Sequence, residues 1–129
     1  MTSLLNNTRR PDVTFHSSGR IDITARIARS LGLNKGDVID IATDGTEYLL
    51  YVRHRAANIN GKHEAQCWPT KQGKRHSNNF RCQSRRLCQT IMDAVLPTAT
   101  TLRLPAGPMV HHAWLGYNDA VPLITLNPL

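Results

Sequence analysis

Gly19-Arg20-Ile21-Asp22-Ile23-Thr24-Ala25-Arg26-Ile27-Ala28-Arg29-Ser30-Leu31-Gly32-Leu33 passes from a strand period to a helical period within fifteen residues, and that switch decides the fold. Upstream, Val13-Thr14-Phe15-His16 alternates apolar and polar residues, and Ser17-Ser18-Gly19 is turn chemistry. Arg20-Ile21-Asp22-Ile23 alternates again with both isoleucines on one face, so the two runs predict a hairpin. Thr24 is suited to cap a helix over residues 25 to 31, in which Ile27 and Leu31 fall one turn apart while Arg26 and Arg29 take the outer side. Gly32 ends it. Leu33-Asn34-Lys35-Gly36-Asp37 reads as a turn into Val38-Ile39-Asp40-Ile41, and Thr43-Asp44-Gly45-Thr46 as a second turn before Glu47-Tyr48-Leu49-Leu50-Tyr51-Val52. The first half is therefore strand, strand, short helix, strand, strand.

Working outward, residues 1 to 12, closed by Arg9-Arg10-Pro11, read as a flexible arm. Residues 54 to 79 are polar and basic, with a strand expected at 64 to 68 and a long turn from Lys71 to Asn79. Phe80-Arg81-Cys82-Gln83 reads as a strand, and Ser84 as the cap of a helix over residues 85 to 95 whose stripe is Leu87, Cys88, Ile91 and Val95. Pro97 closes that helix, residues 100 to 104 alternate as a strand, 105 to 108 form a loop, and 121 to 126 make a last strand. Laying Ile23 to Leu31 over Gln83 to Ile91 brings Thr24 onto Ser84 and the apolar positions onto one another. With a three-residue insertion, Ile39 and Ile41 fall on Leu102 and Leu104. This weak repeat divides a single domain, 13–129, into two ββαβ units, about 13–53 and 64–127, related by a pseudo-twofold. The expected class is mainly β with short helices.

Length and composition bound the function. A chain of 129 residues with 40% hydrophobic side chains fits one core, and the seven aromatic residues leave most of that core to Leu, Ile, Val and Ala. No apolar run reaches the roughly 20 residues of a membrane span, and MTSLLNNTRRPD lacks a signal-peptide apolar stretch, so no membrane partner and a cytoplasmic location are expected. Cys67, Cys82 and Cys88, odd in number, agree with a reducing compartment and read as buried thiols. The net charge of +7 is concentrated: residues 53 to 92 hold nine basic side chains against Glu64 alone, whereas residues 1 to 52 are neutral. A local positive field of that size attracts polyanions, nucleic acid first among them.

The run from Gly19 to Leu33, followed by Gly36-Asp37-Val38-Ile39-Asp40-Ile41, resembles the AbrB/MazE/SpoVT swapped-hairpin family over about 40 of the 129 residues. Members of that family interleave hairpins of two chains into one barrel and are typically transcription regulators. The resemblance implies DNA binding, with Arg20 at the arginine after the turn glycine and Arg29 at the second basic helix position. Thr24 stands where the family usually has a helix-starting proline, and Ala28 where an arginine is common. With the second unit included, the chain is similar to a fused relative: a swapped-hairpin or double-psi-like β-barrel, either a homodimer or a pseudo-dimeric monomer. The nucleic-acid-binding residues expected are Arg20, Arg26, Arg29, Lys71, Lys74, Arg75, Arg81, Arg85 and Arg86, because positive turns beside a helix N-terminus hold phosphates.

Other chemistries have little local support. Six histidines and three cysteines show neither C-x2-C nor H-x3-H spacing, so no metal site and no cofactor are expected. There is no G-x-S-x-G, P-loop or dinucleotide fingerprint, and the chain reads as a binding protein rather than an enzyme. Asp22 and Asp40 fit exposed strand faces and Asp37 a Gly-Asp turn. His111-His112 beside Trp114 reads as a loop that packs the tryptophan onto the barrel. A protein-binding module with an acidic partner, and a small enzyme with a site near His111 and His112, are the alternatives to DNA binding.

Overall fold

The computed structural model describes residues 11–72, 75–116 and 118–125, with residues 72 and 75–77 described in backbone only. The elements run β1 (Val13–His16), β2 (Arg20–Ile23), α1 (Ala25–Leu31), β3 (Val38–Thr43), β4 (Tyr48–His54), β5 (Trp68–Gln72), β6 (Arg75–Gln83), α2 (Arg85–Val95), β7 (Thr101–Leu104), β8 (Val110–His111) and β9 (Asp119–Leu123). They form two antiparallel sheets, ordered β5-β6-β2-β1-β7 and β3-β4-β9-β8. The protein is thus mainly β with two short helices. The expected continuous barrel is not formed: the two sheets remain separate ladders, linked by single bridges at Val38–Gln66 and Ala106–Leu123. Among the described residues, no helix is long and apolar enough to cross a membrane.

Strand alternation builds the core. Val13 and Phe15 of β1, Ile21 and Ile23 of β2, Phe80 and Cys82 of β6, and Leu102 and Leu104 of β7 are all buried on the inner face of the five-stranded sheet. Ile27, Ala28 and Leu31 of α1, Cys88, Ile91 and Met92 of α2, and Val38, Ile39, Leu50, Val121 and Leu123 of the second sheet join the same cluster. Each fully buried aliphatic or phenyl side chain contributes about 1.5–3 kcal/mol, so both halves of the chain stabilise one core.

The halves meet at β2 and β6, paired Arg20↔Gln83, Ile21↔Cys82, Asp22↔Arg81 and Ile23↔Phe80. The shift of 60 residues that places Thr24 on Ser84 carries this ladder onto itself. Each half also lends a strand to the other. β1 pairs with β7, and the Cys67 and Ile39 N–H groups donate to the Asp37 and Ala65 carbonyls, joining 65–67 to the start of β3.

The two helix starts, equivalent in sequence, differ in chemistry. Ser84 Oγ accepts from the Leu87 N–H at 3.1 Å and donates to Glu64 at 2.6 Å. Thr24, expected to cap α1 in the same way, makes no side-chain cap bond, and its buried hydroxyl has no hydrogen-bond partner. The Ala25 N–H donates instead to Asn79 Oδ1 at 2.8 Å, so an amide from β6 occupies the capping role. Ser84→Ala is therefore expected to cost about 1 kcal/mol. Thr24→Val is expected to be neutral or to stabilise by about 0.5–1 kcal/mol by removing an unsatisfied hydroxyl. Urea unfolding of both variants checks the asymmetry, and equal losses at the two positions would sink it.

Several sequence expectations are corrected. The strand expected at 64 to 68 begins at Trp68: Ala65 and Cys67 are buried in alternation as a strand would have them, but Ala65 has φ +60°, which breaks the ladder. The long turn expected from Lys71 to Asn79 is mostly strand, since β6 starts at Arg75. Before Phe80, the ladder partner of β6 among the described residues is β5, and the sequence there, Arg75-His76-Ser77-Asn78-Asn79, carries no apolar alternation to mark a strand. The last strand is Asp119–Leu123, and β8 precedes it where no strand was expected. Asp12, placed in the flexible arm, is buried and bonded, while residues 1–10 lie outside the described residues. Asp37 fills its turn but is buried, and Asp22 and Asp40 are only partly exposed, because each is drawn into an arginine pair.

The β3–β4 turn carries a local pH dependence. Asp44 Oδ1 accepts from the Glu47 and Thr46 N–H groups and from the Thr46 hydroxyl, which lower its carboxyl from 3.8 to about 2. A depressed carboxylate adds stability that is full above its unfolded pKa and is lost as pH falls through the folded value. The stability difference between wild type and Asp44→Asn is therefore expected to narrow below pH 4 and to close near pH 2. Parallel thermal melts read it, and a gap that is constant over this range refutes the assignment.

Candidate nucleic-acid interface

The outer face of the five-stranded sheet gathers the polar partners of the buried alternation. Residues directly opposite on antiparallel strands share a face, and the registers Arg103↔Thr14, Thr14↔Asp22, Asp22↔Arg81 and Arg81↔Trp68 run one row across all five strands. With strands about 4.8 Å apart, the row is about 19 Å wide. Beside it lie Thr101 opposite His16, and Arg20 opposite Gln83. Arg20, Arg81, Arg103 and Trp68 are exposed.

Asp22 organises this face. Its Oδ1 accepts from Arg81 Nε at 2.7 Å, and its Oδ2 from Arg20 Nε at 3.1 Å, with His16 Nε2 3.0 Å away. Arg20 also reaches His16 at 3.2 Å. Partial burial pushes the Asp22 carboxyl up, but Arg81 and then His16 pull it further down, so it is held below its ordinary value and ionised at neutral pH. One carboxylate thus sets two guanidiniums in place without neutralising both, and Arg103 has no acidic partner among the described residues.

Of the nine residues expected from sequence, those described are distributed over the sheet face and the two helices. Arg20 and Arg81 come together at Asp22, and Arg85 lies over the β1–β2 turn. A Cβ on Gly19, which has φ +100°, would meet Arg85 Cγ at 2.8 Å, so glycine there lets the α2 start approach Arg20. Lys71 is exposed on β5 at the same sheet edge as Trp68. Arg26 makes a bidentate pair with buried Asp12 and donates to the Ala106 carbonyl, tying α1 to the segment that follows β7. Arg86 is likewise held by Glu64, whose carboxyl is lowered by the Arg86 and Ser84 hydrogen bonds. Arg29 is exposed on α1, away from the row. The side chain of Arg75 and all of Lys74 lie outside the described residues.

No protein-family model, curated protein or solved structure matches this chain. Its chemistry is therefore read from its own residues. Arg103 and Trp68 are the members of the row that sequence reading missed. The alternation Leu102-Arg103-Leu104 is in the sequence, but the ladder partner of Arg103 is Thr14 of β1, about 90 residues earlier.

The other residues singled out in the sequence are the cysteines and the His111-His112 cluster. Cys67, Cys82 and Cys88 are buried and unbridged. The Cys67 hydrogen bond, followed by burial, pushes the Cys82 thiol up, and burial pushes the Cys88 thiol up. Among the described residues, no group of three or more His, Cys, Asp or Glu is placed to hold a metal ion. His111 Nε2 lies 2.7 Å from Asp119 and His112 Nε2 lies 3.7 Å from Glu47. Trp114, expected to pack inward, is instead half exposed, touching the His112 ring at a centroid distance of 5.8 Å.

Proposed function

We propose that this chain is a DNA-binding protein of the swapped-hairpin type, and a transcription regulator, which meets DNA on the outer face of its five-stranded sheet. The observation that carries the reading is the placement of Arg20, Arg81 and Arg103 on one open face around a single carboxylate. Phosphate neutralisation by such side chains supplies most of the non-specific affinity for DNA, and arginine forks suit phosphate oxygens. Arg85 and Lys71 extend the face at its two ends. The exchange of strands between halves supports the swapped-hairpin reading, with both hairpins supplied by one chain, so a monomer is the expected state.

Titration of random-sequence duplex DNA across a salt series, with light scattering on the same sample, tests this. Three to five phosphate contacts give a slope of log K against log salt of about −3 to −4.5. Absence of binding at 50 mM salt would remove DNA and leave an acidic protein as the partner, and a dimer mass would place the swap between chains.

A further inference from the structure

The sheet face does not end at the row. Beside Trp68 an open groove of about 750 Å³ runs along β5 and β6, lined by Lys62, His63, Thr70, Lys71, Arg81 and neighbouring polar groups. Among the described residues, no carboxylate lines it. The Trp68 ring lies near the Lys35-Gly36 turn, with Lys35 Nζ 5.9 Å from the ring centroid, yet the residue remains 45% exposed. The indole is set among four cations, Lys35, Lys62, Lys71 and Arg81, on a sheet edge and on the face opposite the core cluster.

We propose that this groove seats an unpaired base of single-stranded DNA, stacked on the Trp68 indole, with its flanking phosphates held by Lys62, Lys71 and Arg81. The inference rests on the DNA reading and makes it more specific. Arg81 belongs both to the row and to the groove, so a strand crossing the sheet enters the groove without leaving the positive field. In a duplex the faces of the bases are covered by their neighbours, and an aromatic platform on a sheet reaches a base face only where the strand is unpaired. Basic side chains along the backbone path and an aromatic ring beneath a base are the two parts that single-strand recognition requires.

The test uses the full chain with fluorescein-labelled dT12 and a duplex of the same length, on wild type, Trp68→Ala, Trp68→Phe and Trp114→Phe. Trp68→Ala is expected to weaken dT12 binding about tenfold, to leave duplex binding within twofold, and to keep the wild-type melt. Trp68→Phe retains a stacking face and is expected to restore most of the affinity. In Trp114→Phe the one remaining tryptophan is Trp68, and dT12 is expected to quench its fluorescence while poly-glutamate does not. Equal losses on both DNAs, unchanged dT12 binding by Trp68→Ala, or equal quenching by poly-glutamate each overturns the assignment, the last in favour of an acidic polypeptide. Wild-type protein that binds duplex but not dT12 defeats this inference and leaves the DNA reading standing; binding to neither defeats both.

Discussion

Asp37→Ala is expected to lower the unfolding free energy by about 3 kcal/mol, the largest stability loss of any single polar substitution in the described residues. The Asp37 side chain is almost fully enclosed. One oxygen accepts from the Asn34 N–H and from Arg55 Nη1, each at 2.8 Å, and the other from the Ala56 N–H at 2.8 Å. Arg55 in turn donates to the Leu31 and Gly32 carbonyls, so one carboxylate ties the end of α1, the turn into β3 and the exit of β4. Alanine leaves two backbone donors unsatisfied, at about 1–1.5 kcal/mol each, and adds the loss of a charge-assisted bond. The guanidinium is partly exposed and regains water, which keeps the total below that of a fully buried pair. Asp37→Asn brings little rescue, because its NH2 would face donors. Guanidinium unfolding of the three proteins measures this, and a loss under 1 kcal/mol for alanine would show that the turn holds without Asp37.

The second large effect concerns binding, and its sign is its best test. Neutralising Arg20, Arg81 and Arg103 together to alanine is expected to reduce duplex affinity at 50 mM salt by about 100-fold and to flatten the salt slope by 2–3 units. Asp22→Asn is expected to act in the opposite sense, tightening binding about fivefold, because it removes the one negative charge at the centre of the row and releases Arg20 and Arg81 from it. The same substitution weakens the cross-strand attachment of β2 to β6, so affinity rises while stability falls. Arg26→Ala is the contrast: Arg26 is paired with Asp12, and its loss is expected to appear in the melt and not in the salt slope. An unchanged slope for the triple variant, or weaker binding by Asp22→Asn, would place DNA away from this face.

The two histidine pairs at β8 and just after it add little to stability. His111–Asp119 and His112–Glu47 are exposed pairs, and such pairs hold about 0–1 kcal/mol.

Reading the chain by period alone located both hairpin strands of the first half, both helices with their caps by position, and the buried residues of β1, β2, α1 and β7. These share a cause: each buries one face, and a buried face imposes a period on residues adjacent in sequence. The stretch from Glu64 to Asn79 escaped. There the backbone turns at Ala65 and β6 extends past its ladder with β2 while paired to β5 by backbone bonds, which leave little mark on side-chain type.

The candidate site divides in the same way. Sequence alone established the charge and its concentration in residues 53 to 92, because charge is a sum over residues and needs no geometry. The short strands that carry Arg20, Arg81 and Arg103 beside apolar residues were also legible there. Only the tertiary structure decided which of the basic residues lie together. Arg103, Asp22, Arg81 and Trp68 are brought into one row by registers between strands as many as 90 residues apart. Arg26 and Arg86 are paired instead with Asp12 and Glu64, 14 and 22 residues away. A carboxylate's choice among arginines is settled by distances of about 3 Å, and those distances exist only once the core has set the strands in register.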